Sequence, residues 1–151
     1  LMGPTGDNFA LKMLQLHKKA STITVVNDQF GSPTTTISLS KVIWKLIHKY
    51  EKEVENIDFP FILHWSDLGI ATWYDIAVAV GEIAFELKLI DKPAIVIPIS
   101  TKDYPTDAKR PKYSCLDSNL TQKLIGINGT NWRANLEKLL TKLSNKKKYE
   151  T

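Results

Sequence analysis

Thr22-Ile23-Thr24-Val25-Val26-Asn27 runs directly into Asp28-Gln29-Phe30-Gly31-Ser32-Pro33-Thr34. The first six residues, five of them β-branched, alternate in polarity, which predicts a short strand. The following residues pack amides, an aromatic, a glycine and a proline into one loop, punctuated by Gly31 and Pro33. A helical pattern precedes the strand and another follows the loop, so the stretch reads as part of an α/β fold. Loops at strand ends are where such folds bind ligands. An amide can bond a base edge or a sugar hydroxyl, and an aromatic can stack on a base. The same residues also suit a structural turn, with Asn27 and Asp28 capping backbone and Phe30 filling the core.

Working outward, residues 7–19 predict a helix capped by Asp7, with Phe9, Ala10, Met13, Leu14 and His17 at helical spacing. Residues 38–53 predict a second helix whose buried stripe is Val42, Ile43, Leu46, Ile47 and Tyr50. Asn56-Ile57-Asp58-Phe59-Pro60 ends it, and residues 61–65 read as a second strand. Thr72-Trp73-Tyr74-Asp75 matches a capping box, in which hydroxyl and carboxylate exchange backbone bonds. The helix it opens reaches Leu87, with Ile76, Ala77, Val80, Ile83, Ala84 and Leu87 inward. Gly81, in its middle, costs about 1 kcal/mol against Ala and so marks a close packing contact.

Residues 94–99 predict a third strand, with Pro98 at an edge or strand end because it cannot donate to a ladder. A long irregular stretch, residues 100–114, follows. Asp117 or Ser118 then caps a short helix ending before Gly126, and Asn131 opens the last helix. The stripe of that helix is Trp132, Leu136, Leu139, Leu140 and Leu143. The expected architecture is α/β: a thin three-strand sheet with about five helices, better suited to a lobe leaning on further sheet than to a sandwich.

Composition narrows the function classes. The 151 residues, 43% apolar and 24% charged, suit one globular domain and exclude disorder or collagen-like repeats. A chain of this length buries roughly 70% of its unfolded surface without needing disulfides or metal. Cys115 is the lone cysteine, so a disulfide framework and a multi-cysteine zinc site are excluded. No apolar run reaches the ~20 residues of a membrane span, and the first residues are not expected to act as a signal peptide, since no basic region precedes an apolar stretch. The net charge is +4, most of it in Lys142, Lys146, Lys147 and Lys148 against Glu150. Residues 146–151 therefore read as a basic disordered tail. Nucleic-acid binding would need basic residues spread over a face with aromatics between them, which is not seen.

The chemistry-bearing residues exclude more than they admit. No G-x-G-x-x-G or G-x-x-x-x-G-K-[ST] loop occurs. His17, His48 and His64 lack metal-ligand spacing, and Cys115 lacks the setting of a nucleophile. Tyr50, Tyr74, Tyr104 and Tyr113 have no lysine four residues later, so an acid/base pair of that kind is missing. A second candidate loop is Tyr104-Pro105-Thr106-Asp107-Ala108-Lys109-Arg110-Pro111. The planar fork of Arg110 suits a diphosphate; a carboxylate partner in a solvated loop is the alternative.

In series, these segments resemble the C-terminal part of dTDP-4-dehydrorhamnose reductase, of the extended short-chain dehydrogenase/reductase superfamily. The match rests on Gly6-Asp7-Asn8-Phe9, Val25 through Thr34, Thr72-Trp73-Tyr74, Tyr104-Pro105-Thr106, Lys109-Arg110-Pro111 and Ser114-Cys115-Leu116-Asp117. It covers residues 3–143, and N-D-Q-F-G-S-P-T is its most specific string. The resemblance implies the substrate-binding lobe of a Rossmann-type reductase in dTDP-rhamnose (carbohydrate) biosynthesis. The implied reaction is hydride transfer from NADPH or NADH to the 4-keto group of dTDP-4-dehydro-L-rhamnose. The glycine-rich cofactor half and the catalytic Tyr-x-x-x-Lys are expected before Leu1, so this piece alone is expected to be inactive. The family admits Mg, for which no ligands are identified here.

Carried over residue by residue, Asn8 is expected near the sugar-nucleotide phosphates, Gln29 and Phe30 near the nucleotide, and Arg110 on the diphosphate. Gly31 and Pro33 shape the loop, and Trp73 is mainly structural. Residues 1–145 form the implied substrate-binding region. A nucleotide-diphosphate sugar is the implied partner, with neither nucleic acid nor membrane; a homodimer of the full-length protein and a cytoplasmic location fit the family. Cut from a cofactor domain, the strands around Thr24 and Ile97 are expected to have unpaired edges, leaving the piece poorly stable or self-associating. A related UDP-sugar epimerase or reductase, and a non-catalytic relative such as the methionine adenosyltransferase regulatory subunit, share the architecture.

Overall fold

The computed structural model describes residues 1–53 and 62–149. The chain order is α1 (Phe9–Lys19), β1 (Thr22–Val26), β2 (Phe30–Gly31), α2 (Thr36–Glu53), β3 (Ala71–Thr72), α3 (Trp73–Glu86), β4 (Ile95–Ile99), β5 (Tyr113–Ser114), α4 (Asn119–Ile125) and α5 (Trp132–Tyr149). A single 3-10 turn, Thr101–Asp103, follows β4. Five α-helices and an α/β character agree with the sequence reading.

The sheet differs from it. β1 and β4 pair in parallel, from Thr22 opposite Ile95 to Val26 opposite Ile99. A separate three-stranded sheet of two-residue strands has the order β3-β2-β5. The strand expected at 61–65 does not form over residues 62–65, and Phe61 lies outside the described residues. That segment spends its polar groups on side chains instead of a ladder. Thr121 Oγ1 donates to the His64 carbonyl (2.6 Å), and the Ser66 N–H donates to Ser118 Oγ (2.8 Å). Thr24 and Ile97 face each other in register, and among the described residues each of their strands keeps one edge unpaired, as expected of them. Pro98 lies in β4, whose one strand partner among the described residues is β1, as an edge proline requires.

α3 is the centre of the core. Its Ile76, Ala77, Val80, Ile83 and Ala84 are buried against α1, α5 and the β1–β4 pair. The Thr72 capping box forms as read: its hydroxyl oxygen accepts from the Asp75 N–H (3.1 Å), and Asp75 Oδ2 accepts from the Thr72 N–H (2.8 Å). Gly81 marks the close contact expected of it. A Cβ there would lie 2.6 Å from Cε1 of His17. His17 is buried and pinned at both nitrogens: Nδ1 accepts from the Ala94 N–H (3.1 Å), so Nε2 is the donor to the Ala77 carbonyl (3.0 Å).

Three smaller expectations change. Asn8, not Asp7, caps α1, its Oδ1 accepting from the Leu11 N–H (3.2 Å) while Nδ2 donates to the Gly3 carbonyl (3.1 Å). An amide does both tasks, whereas a carboxylate could only accept. Of the α2 stripe only Val42 is buried; Ile43, Ile47 and Tyr50 are exposed. The expected end of α2 at 56–60 lies outside the described residues. α5 continues to Tyr149, so the backbone of residues 146–149 is helical within the stretch read as a tail. α4 ends at Gly126, whose φ of 63° makes it a left-handed C-cap.

Candidate functional site

The loop after β1 is tied across the β1–β4 pair. Asp28 Oδ1 accepts from both the backbone N–H (2.9 Å) and the hydroxyl (2.5 Å) of Thr101, just past the end of β4. These bonds, the hydroxyl's foremost, and the nearby charge of Lys112 hold the Asp28 carboxyl below its ordinary value. Gln29 bridges two elements, with Nε2 donating to Thr101 Oγ1 (3.1 Å) and Oε1 accepting from Trp73 Nε1 (3.0 Å). Trp73 in turn meets Phe9 edge-on at 4.8 Å between ring centroids. The indole is therefore both structural, as the resemblance implies, and a support for Gln29.

Phe30 and Gly31 form the middle strand of the small sheet, which sets two distant motifs side by side. The Phe30 N–H donates to the Lys112 carbonyl (2.7 Å), and Phe30 lies in register with Tyr113. A Cβ at Gly31 would come 3.2 Å from Ser114 Oγ, a tight approach between the two strands. Arg110 is two residues before Lys112, on an exposed loop, with no ion pair to a carboxylate among the described residues. Phe30 is 43% exposed and Tyr113 62%, so neither ring fills the core. The side chain of Cys115, hydrogen-bonded to the Tyr113 phenol, pushes the phenol above its ordinary value.

Asn8 reaches this region through the first residues of the chain. Its side chain holds the Gly3 carbonyl, while Met2 exchanges backbone bonds with Thr34 (2.8 Å) and Thr36 (2.9 Å), just beyond Pro33. The structure thus gathers Gln29, Phe30, Gly31, Pro33 and the Arg110 loop, with Asn8 linked through Met2. The amides of Asn8 and Gln29 are both engaged inside the fold, and Arg110 and Phe30 are the exposed members.

A cleft of about 330 Å³ opens beside the small sheet, lined by Ser32, Ile70, Tyr113, Cys115, Asp117 and Asn119 among others. Asn8, Gln29 and Arg110 do not line it. A larger groove of about 570 Å³ between α2 and α5 contains none of the sequence-predicted site residues. Sequence reasoning missed Thr101 and Tyr113. Both sit in the irregular stretch, and only the β1–β4 and β2–β5 pairings show that they face the Asn27–Thr34 motif. Among the described residues no cluster of three or more His, Cys, Asp or Glu could hold a metal ion.

A family model described as the RmlD substrate binding domain matches residues 1–145. The chain belongs to that family. Among relatives of this RmlD substrate binding domain, the dTDP-4-dehydrorhamnose reductase of Aggregatibacter actinomycetemcomitans is 34% identical over 91% of this chain and 46% of its own length. The spore coat polysaccharide biosynthesis protein SpsK of Bacillus subtilis is 31% identical over 94% of this chain and 44% of its own. The chain spans about half the length of the curated relatives it matches.

A solved dTDP-4-dehydrorhamnose reductase from Clostridium acetobutylicum superposes with a TM-score of 0.74 at 33% identity, over 91% of this chain and 44% of that one. Another, from Bacillus anthracis in complex with NADP, gives 0.74 at 31%, over 93% and 45%. A Bacillus cereus UDP-glucuronic acid 4-epimerase, at 13% identity and a TM-score of 0.60 over 93% and 40%, shares the fold alone.

Proposed function

We propose that this chain is the substrate-binding part of a dTDP-4-dehydrorhamnose reductase and takes a nucleotide-diphosphate sugar. The observation that carries this reading is the β2–β5 pairing. It sets the Gln29-Phe30 loop beside the loop of Arg110, whose guanidinium has no carboxylate partner among the described residues. An exposed aromatic offers a face for a base or sugar ring, and a free guanidinium fork matches a diphosphate. Asn8 then acts by holding the loop of residues 3–6 in place, Gln29 by orienting the Phe30 loop, and Gly31 and Pro33 by shaping it.

The reaction of the whole protein is NAD(P)H-dependent reduction of the 4-keto group of dTDP-4-dehydro-L-rhamnose. When bound, the nicotinamide supplies the hydride. The residues present do not fit that cofactor: no glycine-rich cradle and no Tyr-x-x-x-Lys pair occur in the chain. Cofactor binding and proton transfer are therefore assigned to sequence outside these 151 residues, and the chain by itself is expected to be inactive. Nor do the described residues offer a magnesium cluster. A homodimer of the whole protein and a cytoplasmic location belong to the same reading. Among the described residues no helix is long and apolar enough to cross a membrane.

Titration calorimetry with dTDP and then UDP tests the reading. Heat of binding for dTDP is expected, and its ratio to UDP reports which base is preferred. Arg110→Ala should weaken dTDP binding by about 1.5–3 kcal/mol, the scale of a charge-assisted hydrogen bond. A folded chain that ignores both nucleotides, or an Arg110→Ala variant that binds as wild type does, would count against it.

A further inference from the structure

We propose that Thr101 is the positioning residue of the ligand loop, clamping Asp28 and Gln29 so that Phe30 is presented in one orientation. The inference rests on the nucleotide-sugar reading above and adds a residue that the motif itself does not contain. Thr101 is half-buried and uses its groups in a directional way. Its hydroxyl proton goes to Asp28 Oδ1, its oxygen accepts from Gln29 Nε2, and its own N–H donates to the same Asp28 oxygen.

That arrangement settles the Gln29 amide without ambiguity. Oε1 faces the indole N–H of Trp73, an obligate donor, so Nε2 must face Thr101. Gln29 is therefore held from two sides, by the first residue of α3 and by the turn after β4. Phe30, the next residue, is fixed at its backbone by the Lys112 carbonyl and by Ser114 Oγ, which donates to the Phe30 carbonyl (3.2 Å). The aromatic is exposed while its backbone is tied at consecutive residues. This is the construction expected of a ligand contact whose orientation must be set before the ligand arrives.

The geometry also explains why the hydroxyl, and not only the shape, is required. A valine at position 101 keeps the β-branched volume and the N–H bond to Asp28. It removes the hydroxyl bond to Asp28 and the acceptor for Gln29 together. A serine keeps all three bonds.

The test compares wild type, Thr101→Val, Thr101→Ser and Trp73→Phe in two measurements. The first is amide hydrogen exchange in the absence of ligand. Thr101→Val is expected to speed exchange at residues 28–32 by about tenfold, with α1, α3 and α5 unchanged, and Thr101→Ser to stay within about twofold of wild type. Trp73→Phe, which removes the indole donor and trims the ring that meets Phe9, should loosen the same residues to a smaller degree. The second is dTDP affinity, expected to fall about tenfold in Thr101→Val and to be restored in Thr101→Ser. Unchanged exchange in both Thr101→Val and Trp73→Phe overturns the clamp. A loosened loop that binds dTDP as tightly as wild type overturns its role in positioning. If wild type itself does not bind dTDP, the nucleotide-sugar reading fails and the ligand role falls with it, whereas equal binding by wild type and Thr101→Val refutes this proposal alone.

Discussion

Helices α2 and α5 are each 18 residues long and each carries an apolar stripe at helical spacing, yet they lie in opposite environments. In α5 the stripe is buried: Leu136, Leu139 and Leu140 are fully covered, and Trp132 nearly so. Among the described side chains of α2 only Val42 is buried, while Ile43, Trp44 and Ile47 are exposed. Periodicity therefore identifies both helices, but it does not say which one the core will accept. α5 packs along α3. α2 is fastened at its head instead, where the buried Asp67 carboxylate accepts from the Thr35 N–H (3.1 Å) and the Ser38 hydroxyl. Trp65 Nε1 adds a bond to Ser38 Oγ (3.3 Å).

Substitutions can break this contrast. Leu139→Ala should cost about 2–5 kcal/mol in denaturant unfolding, the range for emptying a filled core site. A cost under about 1 kcal/mol would show that α5 is no more committed to the core than α2. Asp67→Ala should cost about 1–3 kcal/mol, because it leaves buried donors at the head of α2 without an acceptor. Asn at the same position keeps an acceptor and should recover part of that loss.

Acid separates side-chain anchoring from apolar packing. The Asp28 carboxyl is held below its ordinary value, so its folded-state pKa is the lower one. Its tie to Thr101 is complete above the usual carboxylate range and is lost as pH falls through that range to the lowered value. Protection of the amides at residues 28–32, measured against their intrinsic exchange at each pH, should accordingly fall in acid before that of the α5 amides; simultaneous loosening would contradict the assignment. Ile47→Ala should change stability by no more than about 0.5 kcal/mol, as for an exposed side chain, and a larger loss would mean that the α2 face is covered in solution.

Much of the fold was legible in the sequence because it rests on local rules. The Thr72–Asp75 box, the end of α4 at Gly126 and the presence of a close contact at Gly81 each follow from a few adjacent residues, though the partner at Gly81, His17, does not. The bounds of β1 and β4 follow in the same way, within a residue. What was not legible depends on distant partners. Residues 62–65 look like a strand, but His64 bonds to Thr121 and Trp65 to Ser38 instead, and Ser66 just beyond them bonds to Ser118. Asp7 looked like the cap of α1, but the amide of Asn8 could also reach Gly3. At the candidate site, the Gln29-Phe30 loop and the Arg110 loop were both recognisable, while their adjacency was not. Neither was the part played by Thr101, since nothing near it in sequence announces that it follows a strand parallel to β1.

The β1–β4 pairing also orders events in time. Asp28 and Thr101 are 73 positions apart, so their bonds can form only after a long stretch of chain has closed on itself. Local helices such as α1 and α3 need no such closure, so the Asp28–Thr101 tie is expected to form after them in refolding. The same topology makes the intervening stretch tolerant of lengthening: each doubling of the closed loop adds only about 0.6 kcal/mol to its closure. Insertions in the exposed loops between β1 and β4, outside α3 and the Asn27–Thr34 motif, could therefore accumulate at little thermodynamic cost, provided that the two strands still meet.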